Sequence, residues 1–245
     1  MALIEEFDKS GNVLFRYRSY IPVVMYVLAI LVLCFDKQNF ISPDNLVASY
    51  ICFGISFLGM AIRGMVIGYV PKATSGRNTS EGQVAETVNS KGIYSVVRHP
   101  LYLGNYFMWL GIFAYVGNAW FIIVSSLLYW VYYERIMFAE EFFMRNKFGS
   151  AYTDWAAKVP AFWPKLSGWV PSEMDFSFKN ILKREYSGFL ATVISFLFVN
   201  AIKYYFQQNE FHFAYEWVLA TVAAIAITIT LKTMKKMNLL EVSGR

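Results

Sequence analysis

Charged residues are scarce in this sequence. Asp, Glu, Lys and Arg make up 16% of its 245 residues, whereas an ordinary soluble domain has roughly 25%. This shortage excludes a water-soluble globule with a normal polar surface. Hydrophobic residues make up 57% of the chain and aromatic residues 19%, and long apolar runs are spread from end to end. We therefore predict a single polytopic membrane domain over residues 1–245.

Residues for metal, disulfide and nucleotide chemistry are also few. The two cysteines, Cys34 and Cys52, lie inside apolar runs, and His99 and His212 lie in unrelated contexts, so we expect neither a disulfide framework nor a metal site. The absence of any Gly-x-Gly argues against a Rossmann dinucleotide site. The net charge of +5 comes without an arginine-rich arm or zinc spacing, so we expect no nucleic-acid partner.

The apolar runs are long enough to cross a bilayer, whose core needs roughly 20 helical residues. The sequence predicts an all-α membrane bundle of about six transmembrane helices, with Gly117-Asn118 closing a tight hairpin between the third and fourth. The last two spans form an additional C-terminal transmembrane hairpin over 186–233. The six runs are 19–35, 46–70, 101–117, 119–133, 186–206 and 214–231.

Positive charge is distributed unevenly between the loops. Nineteen of the 22 Lys and Arg residues lie before the first span, in 71–100, in 134–185 or after the last span. Because cytoplasmic loops carry the excess of positive charge, this distribution predicts a multi-pass protein with both termini in the cytoplasm. The outer loops are short, so the polar chemistry is expected on the cytoplasmic side.

The first group of candidate functional residues lies at the inner end of the third span. Pro100 suits the first position of a helix, which places Arg98 and His99 just before a helix N-terminus that favours an anion. The alternative is that Arg98 reaches lipid headgroups and His99 only caps the helix.

A second group of charged residues follows the fourth span. Glu134, Arg135, Glu140 and Glu141 lie at or just past the membrane boundary, where ionised groups are costly unless they are paired or face a polar cavity. The alternative is an amphipathic helix that lies on the headgroups. Because spans three and four form a hairpin, we expect the two groups to meet on one membrane face.

Arg63 lies well inside the second span, where a charge costs roughly 2.5 to 3.5 kcal/mol on insertion scales unless it faces the bundle. It is predicted either to pair inward for structural reasons or to line a pocket for an anionic lipid head or a cofactor. The adjacent Gly64-x-x-x-Gly68 offers a small face for close helix packing.

Together these two groups resemble motifs of the membrane-embedded isoprenylcysteine carboxyl methyltransferases and the related phospholipid N-methyltransferases. The resemblance covers roughly residues 50–165, which we interpret as a methyltransferase-like core. Trp155 stands where the family pattern ends in a tyrosine. The first motif, Arg-His-Pro-x-Tyr-x-Gly, is matched by Arg98, His99, Pro100, Tyr102 and Gly104. The second is matched by Arg135, Glu140, Glu141, Phe148, Gly149, Tyr152, Val159 and Pro160.

The resemblance implies methyl transfer from S-adenosyl-L-methionine to a lipidic or prenylated acceptor at the cytoplasmic membrane face. It implies cofactor contacts by Arg98, His99, Tyr102 and Gly104, with Glu140 or Glu141 as partner of the cofactor's amino group. Arg135 and the two glutamates are the implied catalytic residues, and Arg63 and Arg135 the substrate-binding ones. A carboxylate acceptor would need no general base, whereas an amine would need a glutamate to take its proton.

Two other functions compete with this one. An NADPH-dependent sterol or steroid reductase has a similar turn, but with Pro-Asn-Tyr where this chain reads Pro100-Leu101-Tyr102. A transporter or scaffold without enzymatic activity would be expected to carry ionisable residues in several spans, and Arg63 is the clear mid-span charge here. The sequence does not decide the oligomeric state.

Overall fold

The computed structural model describes residues 2–36, 39–71 and 85–244. Within these ranges the regular structure is helical, with no β-strand, which confirms the predicted all-α membrane bundle. The helices are α1 (Leu3–Arg16), α2 (Val24–Phe35), α3 (Leu46–Tyr69), α4 (Pro100–Val116), α5 (Ala119–Phe148), α6 (Ser150–Ala156), α7 (Phe178–Gln208) and α8 (Tyr215–Lys236).

Each predicted apolar run coincides with a helix, but the helices differ in length. Helices α3, α5, α7 and α8 are long and apolar enough to cross a membrane. Helix α4 has 17 residues and α2 has 12, which gives lengths of about 26 and 18 Å against a hydrocarbon core of about 30 Å. The count of six spans, and the division into a core and an added hairpin, therefore stay predictions.

Glycines allow the backbones of α3 and α4 to pack closely together. A Cβ atom added to Gly59 would lie 2.4 Å from the backbone oxygen of Gly104, and one added to Gly111 would lie 2.4 Å from the oxygen of Cys52. No side chain fits between backbones this close, so the two helices require glycine at these points.

The predicted small face at Gly64 and Gly68 does not make this contact. An added Cβ at Gly68 would lie 2.4 Å from the ring of Phe176, and at Gly64 the nearest group, 3.7 Å away, is the side chain of Ile181. The face therefore receives Phe176, just before α7, and Ile181 in the first turn of α7. Asn180 completes this junction by donating to the backbone oxygen of Ile67 at 2.7 Å.

The hairpin between α4 and α5 forms where the sequence predicts it. Gly117 ends α4 in the left-handed region with φ +82°, which a residue with a Cβ rarely adopts. Asn118 then caps α5 by accepting a hydrogen bond from the Phe121 N–H at 2.8 Å. The inner ends of α4 and α5 consequently lie side by side.

Helix α1 packs along the inner half of α5. Gly11 lies where an added Cβ would be 2.2 Å from the backbone oxygen of Arg135, and Phe7 packs edge-to-face against Phe138. Helix α7 packs against α3, α4 and α8. This arrangement brings α1, α4, α5 and α7 around one space at the inner end of the bundle.

Candidate active site

A cavity of about 840 Å³ lies where α4 begins and α5 ends, a size typical of small-molecule sites. Two sets of charged side chains line it, and α3, α4 and α5 each contribute a residue to its deep end. The α4–α5 wall consists of Arg98, His99, Tyr102, Glu140 and Glu141. The α7–α8 wall consists of Lys183, Arg184, Glu185, Lys235 and Glu241, and the deep end of Arg63, Asn105 and Tyr133.

His99 lies between the two glutamates of the α4–α5 wall. Its Nε2 is 2.8 Å from Glu141 Oε1 and its Nδ1 is 3.6 Å from Glu140 Oε2. Burial alone would lower the pKa of His99, but the hydrogen bonds and charges of the two carboxylates outweigh it, so the pKa lies above its ordinary value of 6.5. The two carboxylates therefore favour the protonated form of the buried ring. The predicted meeting of the two charged groups is what the structure shows.

Tyr102 completes this wall from the first turn of α4. Its hydroxyl donates to Glu140 Oε1 at 2.8 Å, and its ring stacks on that of His99 with centroids 5.8 Å apart. The two residues are three apart, so the start of the helix places them on one face. Glu140 is thus oriented by Tyr102 and Glu141 by His99.

Arg98 joins the wall to the chain that follows α6. Its Nη1 donates to the backbone oxygens of Ala156 and Val159 at 2.6 and 3.1 Å, and its Nε lies 3.0 Å from Glu141 Oε1. The Arg98 backbone N–H also donates to the oxygen of Pro160. Arg98 therefore holds the Val-Pro part of the second motif against the N-terminus of α4.

Arg63 enters the deep end of the cavity from α3. Its Nε and Nη2 donate to the two carboxylate oxygens of Glu185, each at 2.7 Å, and its Nη1 donates to Asn105 Oδ1 at 2.7 Å. A bidentate pair of this kind is strong and geometrically specific. Arg63 therefore pairs inward and also lines the cavity, while its predicted role in binding an anionic lipid head or a cofactor stays a prediction.

Arg135 and Gly104 lie elsewhere. The guanidinium of Arg135 sits 3.3 Å from the centre of the Phe7 ring, on the α1 side of α5. A helix turns about 100° per residue, so Arg135 points away from the face that carries Tyr133 and Glu140. Gly104 packs on α3. Neither residue lines the cavity, and their predicted roles in binding or catalysis stay predictions.

Sequence reasoning missed much of the α7–α8 wall and the deep end. Glu185, Lys183 and Glu241 come from segments that read as solvated inner loop or chain end, and no motif marks them. Asn105 and Tyr133 do follow a signal that could have been used, since Asn105 lies one turn from Tyr102 and Tyr133 two turns from Glu140 on the cavity faces of their helices. Within the described ranges, no three His, Cys, Asp or Glu side chains are grouped to hold a metal ion.

Comparison with known proteins gives the same family as the motifs. Residues 78–151 match the family model for phospholipid methyltransferase. The protein-S-isoprenylcysteine O-methyltransferase of Schizosaccharomyces pombe is 30% identical over 109 residues, which are 44% of this chain and 46% of that protein. The Xenopus laevis protein of the same name is 27% identical over 114 residues, 44% of this chain and 40% of that protein.

A relative with a different name matches over a longer stretch. The cobalt-zinc-cadmium resistance protein CzcN of Cupriavidus metallidurans is 26% identical over 156 residues, 64% of this chain and 68% of that protein. No solved structure matches the chain. The matches to the two isoprenylcysteine methyltransferases span less than half the length of those proteins.

The matched family segment contains the whole α4–α5 wall and ends before α7. The predicted resemblance is confirmed, and the family and the isoprenylcysteine relatives are methyltransferases by name. Arg63 and the entire α7–α8 wall lie outside the matched segment. The family model therefore covers the residues of the α4–α5 wall and not those of the α7–α8 wall.

Proposed function

We propose that the chain, whose residues 78–151 match the family model for phospholipid methyltransferase, transfers a methyl group from S-adenosylmethionine to a lipidic acceptor. The observation that carries the proposal is the α4–α5 wall. There a buried His99 lies between Glu140 and Glu141 and faces a cavity large enough for a cofactor and a reacting group.

The chemistry of this wall fits the methionine end of the cofactor. That end carries an ammonium and a carboxylate, so it requires an anionic and a cationic partner close together. Glu140 and Glu141 would hold the ammonium, and the cationic side of His99 and Arg98 would attract the carboxylate. When bound, the cofactor supplies an electrophilic methyl group on a sulfonium.

The chain's own residues contribute mainly by positioning. The hydrogen bonds from Tyr102 and His99 fix both carboxylates before any ligand binds, which lowers the entropic cost of alignment. A carboxylate acceptor would need no proton transfer, whereas an amine acceptor would give its proton to Glu140 or Glu141.

A lipidic acceptor is supported by the apolar side chains that share the cavity with these charges. Ile67, Leu101, Phe143 and Met144 all line it. The S. pombe and X. laevis relatives are isoprenylcysteine O-methyltransferases by name, so a prenylated cysteine carboxylate is the first acceptor to test. A phospholipid headgroup is the second, because the family model is that of phospholipid methyltransferase.

The reaction is proposed to take place at the cytoplasmic membrane face. Residues Phe15 and Glu241 line the same cavity, so both terminal segments lie at this end of the bundle. The same end carries most of the positive loop charge, with nineteen of the 22 Lys and Arg residues in the predicted inner segments. The positive-inside rule supports a cytoplasmic location for both termini.

A methyl-transfer assay on the reconstituted full chain tests this function. Labelled S-adenosylmethionine is supplied with N-acetyl-S-farnesylcysteine, with its methyl ester, or with phosphatidylethanolamine. We expect transfer to an acceptor with a free carboxylate or headgroup and none to the ester. Glu141→Gln should lose at least about tenfold in activity, because the charge partner of His99 is gone.

The matched control is Glu134→Gln, which removes an exposed carboxylate from the same helix. It should keep wild-type activity. Folded wild-type protein that transfers no methyl group to any of these acceptors, or an unimpaired Glu141→Gln variant, would contradict the proposal.

A further inference from the structure

The α7–α8 wall carries more cationic than acidic side chains. Lys183, Arg184 and Lys235 line it together with Glu185 and Glu241, and Arg63 adjoins it from α3. None of these residues belongs to the matched family segment. This excess of cationic side chains means that the α7–α8 wall favours an anion.

The two ion pairs on this wall differ in how firmly the carboxylate is held. Glu185 is bound by two hydrogen bonds from Arg63, and its side chain is 12% exposed. Glu241 makes a 2.6 Å contact with Lys183 Nζ, but its side chain is 52% exposed, whereas that of Lys183 is 11% exposed. Lys183 is thus a buried cation whose anion comes from a surface segment.

The segment that carries Glu241 is short and turns back on α8. Asn238 has φ +59°, and the Leu239 N–H donates to the backbone oxygen of Met234 at 3.0 Å, which closes the end of the helix. Leu240 is 2% exposed and anchors the segment, while Met237 and Leu239 are exposed. Because the Glu241 side chain is half-exposed, its rotation alone would move the carboxylate away from Lys183 while Leu240 stays buried.

We propose that Lys183 is the binding residue for the anionic group of the acceptor, a carboxylate or a phosphate, and that Glu241 occupies this position until the acceptor displaces it. This inference rests on the proposed function, because an acceptor exists only if the protein transfers a methyl group. It assigns the α4–α5 wall to the cofactor and the α7–α8 wall to the acceptor. Lys183 and Glu241 are specificity residues in this arrangement, since neither touches the reacting atoms in the proposed chemistry.

The test measures acceptor binding separately from methyl transfer. Full-length protein in detergent is titrated with labelled N-acetyl-S-farnesylcysteine in the absence of S-adenosylmethionine, and cofactor affinity is measured on the same samples. Lys183→Gln should weaken acceptor binding about tenfold, and Lys183→Arg should restore most of it, because a charge-assisted bond to an anion is lost and regained. Glu241→Gln should strengthen acceptor binding several-fold, because the competing carboxylate is removed.

Two features of the design separate this inference from a folding defect and from the proposed function. Glu210→Gln, in an exposed position beyond the far end of α7, is the matched control and should leave both affinities unchanged. The Glu241→Gln gain cannot arise from misfolding. Parallel KM measurements with phosphatidylethanolamine show which source supplies the anion, because the same variants should shift the KM of the true acceptor and leave kcat near wild type.

Unchanged acceptor affinity in both Lys183→Gln and Glu241→Gln would overturn the inference. So would a loss of cofactor affinity in Lys183→Gln with acceptor binding intact, since Lys183 would then hold the cofactor. If the wild type binds no S-adenosylmethionine while farnesylcysteine binding still depends on Lys183, the anion site stands and the proposed function fails.

Discussion

The ion pair between Arg63 and Glu185 joins α3 to α7, and its loss should lower the free energy of unfolding. Both carboxylate oxygens accept from the guanidinium at 2.7 Å, and the two side chains are 21% and 12% exposed. The pair is a bidentate polar link between α3 and α7 at the cavity. We therefore predict a strong energetic coupling between these two residues.

The magnitude follows from the burial of the pair. Removing one partner of a buried ion pair costs roughly 3 to 5 kcal/mol, because the other charge is left without compensation. Arg63 would keep its 2.7 Å bond to Asn105, so we expect the lower end, about 3 kcal/mol, for Glu185→Gln. The double variant Arg63→Met with Glu185→Gln leaves no unpaired charge and should cost no more than either single variant.

A double-mutant cycle measures this coupling as the free energy of unfolding in mixed micelles. The matched control is Lys91 with Glu173, an ion pair whose side chains are 45% and 76% exposed and whose coupling should be close to zero. If the Arg63 and Glu185 single variants add to within about 0.5 kcal/mol, as distant residues do, α7 is not held to the cavity by this pair and the description of the deep end is wrong.

Three further predictions concern packing, pH and cofactor affinity. Gly59→Ala places a Cβ 2.4 Å from the α4 backbone and should lower the free energy of unfolding by about 1 to 3 kcal/mol. The control Gly54→Ala, with nothing within 4 Å of the added Cβ, should leave the free energy of unfolding unchanged or raise it. The pKa of His99 is raised by its carboxylate partners, so the stability that its charge contributes is complete below the ordinary pKa of 6.5 and is lost as pH rises through the raised value. The free energy of unfolding of the wild type should therefore fall with pH above 6.5, and His99→Gln should flatten this slope in denaturation curves. An unchanged slope would contradict the ion pair. Tyr102→Phe removes the hydroxyl that orients Glu140 and should weaken S-adenosylmethionine binding several-fold in an equilibrium titration. An unaltered affinity would mean that Glu140 does not contact the cofactor.

Local chemistry made the hairpin and its contents predictable. Gly117 and Asn118 have the backbone preferences of a helix end and a helix cap, and Pro100 suits the first helical position. Once the hairpin is accepted, His99 and the glutamates that follow α5 must meet, because the two helix ends lie on the same side. The α4–α5 wall could therefore be predicted without knowing where the other helices lie.

The remaining half of the cavity depends on contacts between distant segments. Glu185 reaches Arg63 across 122 positions of the chain, and nothing in the local pattern of α7 distinguishes it from a solvated glutamate. Arg135 shows the opposite case. Its helical phase relative to Glu140 was available from the sequence and already indicated a different face, although it stands among the motif residues.

The proposed function depends most directly on S-adenosylmethionine binding by the α4–α5 wall. Equilibrium binding of the labelled cofactor to purified full-length protein, with NADPH as competitor, measures this for the wild type, His99→Ala, Glu141→Ala and the exposed-site control Glu134→Ala. We predict saturable binding that the wild type and the control share, that both wall variants lose, and that NADPH does not displace. No binding by folded wild-type protein, or displacement by NADPH, would contradict the central claim.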